Sequence, residues 1–299
     1  MSLVVVGSLA LDTIETPHTR VEKIVGGSCT YCALAASFFT RPMIVGIVGE
    51  DFPRETIDFL QRKNIDLRGL TISKGKTFHW EGRYGTDPNQ RITRKLEMNV
   101  FQDFRPELPP DYRNTDILFL ANIDPDLQGD ILKQMKDPKF VALDTISHWV
   151  EKKKNALAKV LERVDIFFCN DEEAARLSGE NNLVRAGQDI TRMGPSTVII
   201  KKGEHGTLVF GRDLLFGVSA FPCEKVVDTT GAGDSFAGGF LGYLDRAGTL
   251  GEKELRRASA IGTVMAAFVV EDFGIHRFRS LELPEIEDRL EKFQRFVSI

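Results

Sequence analysis

Cysteine is scarce in this chain: Cys29, Cys32, Cys169 and Cys223 are the only four in 299 residues. That is too few for a disulfide framework. Cys29 and Cys32 do have the C-x-x-C spacing of redox and zinc sites. A structural zinc needs about four ligands, and the chain has neither a second C-x-x-C nor an H-x-x-x-H. The other reading is two small residues on a buried helix face, because free cysteine packs as a small hydrophobe. A dominant charge is also missing. The net charge of -4 lacks the basic excess of a dedicated nucleic-acid binder. No apolar run approaches the ~18 residues of a membrane span. The opening MSLVVVGS has no basic region ahead of its apolar run, so it reads as a first strand and not a signal peptide. The expected location is the cytoplasm.

What is present is a strand–helix alternation. Leu3 to Val6 and Met43 to Val48 are short buried strands. Between them Gly26-Gly27 break the chain before an apolar helix, Ser28 to Phe39. Pro53 to Lys63 reads as an amphipathic helix stopped by Asn64. Later strands are expected at Ile117 to Leu120, Phe140 to Leu143, Ile166 to Cys169 and Thr197 to Ile200. Helical segments are expected at Asp126 to Met135, Val150 to Glu162 and Asp171 to Leu177. Thr207 to Phe210 and Leu214 to Val218 suggest an antiparallel pair, and helices run from there to the end. Such alternation signals a parallel sheet. Residues 71–101 differ. Thr77 to Arg83 and Arg91 to Phe101 are β-prone and flank Gly85-Thr86-Asp87-Pro88-Asn89, a turn signal. This hairpin, with strand residues 12–24 as a candidate addition, forms a small β insertion in one α/β domain spanning 1–299. Its charges, Arg83, Arg91, Arg94 and Lys95, are either a solvated face or part of a lid over a substrate.

The densest motif is Asp228-Thr229-Thr230-Gly231-Ala232-Gly233-Asp234-Ser235-Phe236-Ala237-Gly238-Gly239-Phe240. Its glycines set a turn at a helix start. There the first N–H groups have no intrahelical partner and the dipole is positive, which makes an anion site from backbone alone. No lysine or arginine follows the loop; it ends in an acid. Asp234 beside a bound phosphoryl group can take the proton of an attacking hydroxyl. A weak base suffices when the transition state is loose and the proton leaves late, and the helix dipole favours the ionised form. The loop is neither a Walker P-loop, lacking G-x-x-x-x-G-K-[ST], nor a dinucleotide fingerprint. A glycine-rich helix start with an acidic cap is the plain alternative.

This stretch resembles the C-terminal signature of the ribokinase-like (PfkB) family of sugar and nucleoside kinases. Other segments agree in order over roughly 3 to 275. Gly7-Ser8-Leu9-Ala10-Leu11-Asp12 is similar to the family's first strand with its substrate-binding aspartate. Gly26 and Gly27 resemble its substrate-side glycine pair, and Val45 to Asp51 its next strand and acid. Asn170-Asp171-Glu172-Glu173 resembles the N-x-x-E element, and Lys201-Lys202-Gly203-Glu204-His205-Gly206 the K-G-x-x-G turn. The resemblance implies a three-layer α/β/α sandwich with a mostly parallel central sheet and a small β-strand lid. It implies ATP as co-substrate, Mg2+ organised by Asn170 and Glu173 through water, and transfer of the γ-phosphate to a hydroxyl. It casts Asp234 as base, with the backbone N–H groups of Ala232, Gly233 and Asp234 as an anion hole opened by Gly231. Asp12, Gly26 and Gly27 position substrate; Asn170, Lys202, Gly203, Gly206 and Thr229 serve the nucleotide. In many members a potassium ion orders this loop, and Asp228 and Thr230 are its candidate ligands here. The bland readings stay open: Asp12 as a turn residue, Asn170 and Glu173 as an ordinary N-cap pair, Lys202 as a surface charge.

One departure bears on the substrate. Many sugar kinases of the family have an asparagine four residues after the glycine pair; here it is Tyr31. Tyrosine lacks the amide's paired donor and acceptor and offers a ring face and one hydroxyl. Phe78, Trp80 and Tyr84 add aromatics near the insertion. The expected acceptor is a small sugar or polyol, with a nucleoside or inositol as the alternative and a non-catalytic nucleotide-binding regulator as a further one. No nucleic acid or membrane partner is expected. A β lid with unpaired edges suggests a homodimer.

Overall fold

The computed structural model describes residues 1–85, 87 and 91–298. Its strands are β1 (Leu3–Val6), β2 (Ala10–Glu15), β3 (Arg20–Gly26), β4 (Met43–Gly49), β5 (Asp66–Ser73), β6 (His79–Tyr84), β7 (Arg91–Glu97), β8 (Ile117–Leu120), β9 (Phe140–Asp144), β10 (Ile166–Asn170), β11 (Thr197–Lys201), β12 (Thr207–Gly211) and β13 (Leu215–Val218). They form a nine-stranded sheet in the order β13-β12-β11-β10-β9-β8-β1-β4-β5 and a four-stranded sheet in the order β3-β2-β6-β7. Every pair from β11 through β5 is parallel; β12 and β13 add an antiparallel edge. In the smaller sheet β2 and β6 are parallel and the outer pairs antiparallel.

The central strands are apolar on both faces because helices cover both. Successive side chains point to opposite sides. Phe140, Ala142, Ile166, Phe168 and Ile199 enter one core with the helices Ser28–Ala36, Ala232–Ala247, Glu252–Val269 and Leu283–Val297. Val141, Leu143, Phe167, Cys169, Val198 and Ile200 enter the other, with Pro125–Leu132, Lys154–Leu161 and Leu183–Thr191. The result is the three-layer ribokinase-like sandwich. No helix among the described residues is long and apolar enough to cross a membrane.

Several expectations are corrected. Residues 71–73 belong to β5 of the large sheet, so the small sheet begins later than 71 on this side. It draws two strands, β2 and β3, from residues 10–26. Asn99–Asp103 is a 3-10 turn instead of the end of a strand. The helix over 150–162 is interrupted at Lys153, and Leu183–Thr191 is a helix that periodicity did not reveal. Of the turn read over 85–89, Thr86, Pro88 and Asn89 lie outside the described residues.

The helix Ala232–Ala247 carries the glycine-rich loop, and its seat on the sheet is aromatic. Phe168 of β10 meets Phe240 edge-on at 5.4 Å, Phe236 at 6.2 Å and Phe119 of β8 at 5.9 Å. On its flank Gly238 abuts the helix Ser28–Ala36 so closely that a Cβ would lie 2.2 Å from Cys32 O. That settles the C-x-x-C. Cys29 and Cys32 are fully buried, and burial pushes both thiols above their ordinary values, which suppresses the reactive thiolate. They are packing residues. Phe168→Ala is expected to destabilise the fold by about 3–5 kcal/mol, measured by urea denaturation; a loss below about 1 kcal/mol would show that the helix is seated by something else.

Candidate active site

Gly231 is the N-cap of this helix, at φ 77. An L-residue rarely takes this left-handed conformation. Any Cβ there would also stand 2.5 Å from the Tyr31 ring. Asp234 is not the cap; it is the third residue of the first turn. Ser235 N–H donates to Gly231 O, and Ala232 N–H turns back to Thr229 O at 3.2 Å. Of the three donors expected in the anion hole, Ala232 is therefore engaged. The N–H groups of Gly233 and Asp234 lie in the turn for which a helix supplies no carbonyl.

The expectation of an anion site without a side-chain cation is also corrected. Lys201, the last residue of β11, reaches under this turn: its Nζ lies 3.0 Å from where a Gly233 Cβ would be. It pairs at 2.7 Å with Asp144, the last residue of β9, both largely buried. Burial pulls Lys201 down, but Asp144 more than compensates and holds it above the usual lysine value. Burial pushes Asp144 up against the pull of Lys201. The 2.7 Å contact decides for the charged pair. Neither residue was singled out in the sequence; Lys202 was. Lys202 sits instead at the turn beyond, its N–H bonded to Gly206 O, with Gly203 opening the 3-10 turn Gly203–His205.

Asp234 is half-buried in the cleft. Burial raises it to about 6; Asp144 adds to the rise, while Lys201, Arg91 and its own backbone N–H oppose it. At about 6 the carboxyl is still mostly ionised at neutral pH. Asp12 lies within β2 and not in a strand-end turn. It is 4% exposed, and burial, then Asp228 and Asp234, push it up to about 8, against Arg91. Its Oδ2 packs over Gly26, 2.0 Å from where a Cβ would be, so a side chain there would displace the Asp12 carboxyl. Gly27 follows as N-cap of the helix Ser28–Ala36.

Tyr31 does not offer an open ring face. It is 1% exposed, lies beneath Gly231, and its hydroxyl has no hydrogen-bond partner among the described residues. Tyr84 of β6 does reach the loop, its hydroxyl bonded to Thr230 Oγ1 at 2.7 Å. Asp228 Oδ1 accepts from Thr230 N–H, while the buried Oδ2 has no hydrogen-bond partner among the described residues. Asn170 and Glu173 form a reciprocal capping box. Glu173 is buried, and burial and then Asp144 raise it to about 7. Among the lid arginines, Arg83 pairs with Glu15, whereas Arg91 lies 5.8 Å over the Trp80 ring.

Residues 2–278 match the pfkB family carbohydrate kinase. A cytidine kinase of Thermococcus kodakarensis is 31% identical over 258 residues, covering 84% of this chain and 91% of the relative. A Burkholderia thailandensis nucleoside kinase solved with inosine superposes with a TM-score of 0.80 at 19% identity, covering 97% of each chain. An Arabidopsis thaliana ribokinase solved with ribose and ATP gives 0.75 at 23% identity, covering 97% of this chain and 98% of that one. With its glycine turn, first-turn aspartate and two-sheet fold, the chain belongs to the pfkB family of carbohydrate kinases, phosphotransferases that act on hydroxyl groups.

Proposed function

We propose that this protein is an ATP-dependent nucleoside kinase. The observation that carries the reading is that Asp234, in the first turn of the helix, and Asp12 of the smaller sheet face one cleft, close enough for the Asp234 charge to help push the Asp12 carboxyl up. The nucleoside class is supported by the cytidine kinase relative. A free sugar or polyol, the first expectation, lacks comparable support.

The residues divide the reaction. Asp12 accepts hydrogen bonds from acceptor hydroxyls and fixes which one faces Asp234. Asp234 takes that hydroxyl's proton as the oxygen–phosphorus bond forms. The N–H groups of Gly233 and Asp234, with the positive helix end, hold the phosphoryl oxygens. A polyphosphate brought beside Asp234 and Glu173 needs its charge neutralised, so a divalent cation fits. Magnesium, when bound, would neutralise phosphate oxygens. It usually keeps several waters and few carboxylates. Among the described residues no metal-binding cluster converges, and Asn170 and Glu173 are already mutually bonded, so both serve it through water. The orphaned Asp228 Oδ2 fits a monovalent cation such as potassium beneath the loop. The proposal extends to a homodimer through the smaller sheet, where edge strand β7 exposes Ile92 and Leu96 and an unpaired edge needs a cover.

ADP release with MgATP across nucleosides, free sugars and inositols is expected to give its highest kcat/KM with a nucleoside; preference for a free sugar would sink the proposal. Asp234→Asn is expected to lower kcat roughly 10²–10⁴-fold while nucleotide still binds. Because Asp234 must be ionised to act, wild-type kcat should fall as pH drops through about 6; a profile flat down to pH 4 contradicts the assigned base. Asp12 has a folded value raised to about 8, so its stabilising contribution is full below its unfolded value near 3.8 and lost as pH rises toward 8. At pH 7 the loss is about 4 kcal/mol. Asp12→Asn should therefore raise the melting temperature of the ligand-free protein at pH 8 while weakening the acceptor's KM; a lower melting temperature at that pH would refute the sign. Sedimentation at micromolar concentration should show a dimer that Ile92→Lys converts to monomer.

A further inference from the structure

Lys201 has no task in the reaction as derived, yet its place is unfavourable for a merely structural lysine. Its side chain is 17% exposed, and burial disfavours its charge. It stands at the positive end of a helix, where a cation has the wrong sign. Its partner Asp144 is itself buried, and a buried ion pair adds little stability over apolar residues of similar size. What the place does offer is nearness to the phosphoryl cradle. Nζ lies 3.0 Å from the Cβ position of Gly233, and glycine leaves no side chain between the ammonium and the first-turn N–H groups. The ring of Phe168 lies 5.9 Å from the ammonium. Lysine has three rotatable donors, and the bond to Asp144 uses one.

We infer that Lys201 is a catalytic residue whose ammonium meets the phosphoryl group at the Gly231–Asp234 turn, with Asp144 as the residue that positions it. This rests on the kinase reading above. During transfer the bond from phosphorus to the bridging oxygen of ADP breaks as the bond to the acceptor oxygen forms. The acceptor's proton passes to Asp234, and Lys201 keeps its own throughout, neutralising charge on the oxygens that do not bridge. Asp144 keeps the ammonium under the turn when no phosphate is there.

The test compares wild type, Lys201→Met, Asp144→Asn and the double variant, which removes both charges and leaves no unpaired buried ion. Calorimetric titration without acceptor is expected to show ADP binding unchanged and ATP binding weakened tenfold or more, relative to wild type, in Lys201→Met and the double variant. Turnover should fall roughly 10²–10³-fold in both. The groups acting on Asp234 are Asp144, Lys201 and Arg91, with Asp12, Tyr31, Cys29 and Cys32 also facing it. Lys201 lowers it and Asp144 raises it, so the acid limb of the rate profile should move up in Lys201→Met and down in Asp144→Asn. A double variant that regains ATP binding and turnover would show a structural pair only and overturn the inference, as would a wild type that binds ATP no tighter than ADP. Wild type that phosphorylates no nucleoside defeats the proposed substrate, while the ATP-against-ADP comparison still decides Lys201.

Discussion

The structure turns on how several buried acids are allowed to share one cleft. Asp12, Asp144, Asp234 and Glu173 are each pushed toward the neutral form by lost solvent. Like charges close together raise one another further. Against them stand the positive end of one helix, one buried lysine and Arg91 from the smaller sheet. The balance leaves the empty site rich in protons near neutrality. A ligand that brings hydroxyl donors and a neutralised phosphate relieves that strain, so the site's affinity and its cost to stability have the same origin.

That balance needs the helix start to be held in place, and the core does this. Phe168 carries Phe236 and Phe240 on one side, Gly238 lets the neighbouring helix close in, and the ring of Tyr31 supports Gly231 from below. The phosphate-facing surface of the turn is thus the outer skin of the hydrophobic core. A change at Tyr31 acts on the loop before it acts on any substrate, which is why the aromatic that stood out as a ligand platform is better understood as a floor.

The alternating elements, the antiparallel edge and the glycine turn were legible because each depends on local pattern. The smaller sheet was half legible. β6 and β7 follow from a hairpin signal, but β2 pairs with β6 across 79–83, a long-range contact that no window shows. Asp234 and Asp12 were picked out as candidates through their motifs, and the structure places both at the cleft. Lys201 was missed though a signal existed: with Ile199 facing the core under the helix, period-two alternation sends Lys201 to that same side and Lys202 away. The same parity, from Phe140 and Ala142, aims Asp144 there. Burial and its effect on Asp234 were not legible, since desolvation depends on everything packed around a group.

The two acids of the proposed reaction belong to different sheets. Asp12 rides on the smaller one and Asp234 on the helix seated on the larger one, and the Tyr84–Thr230 hydrogen bond ties them across the cleft. The spacing between the acceptor's grip and its base is therefore set by how the two sheets meet. A water molecule beside Asp234 would span no such distance. In the proposed reaction the acceptor has to reach both acids. On the proposed reading, the division of labour between sheets would guard the bound nucleotide against idle hydrolysis.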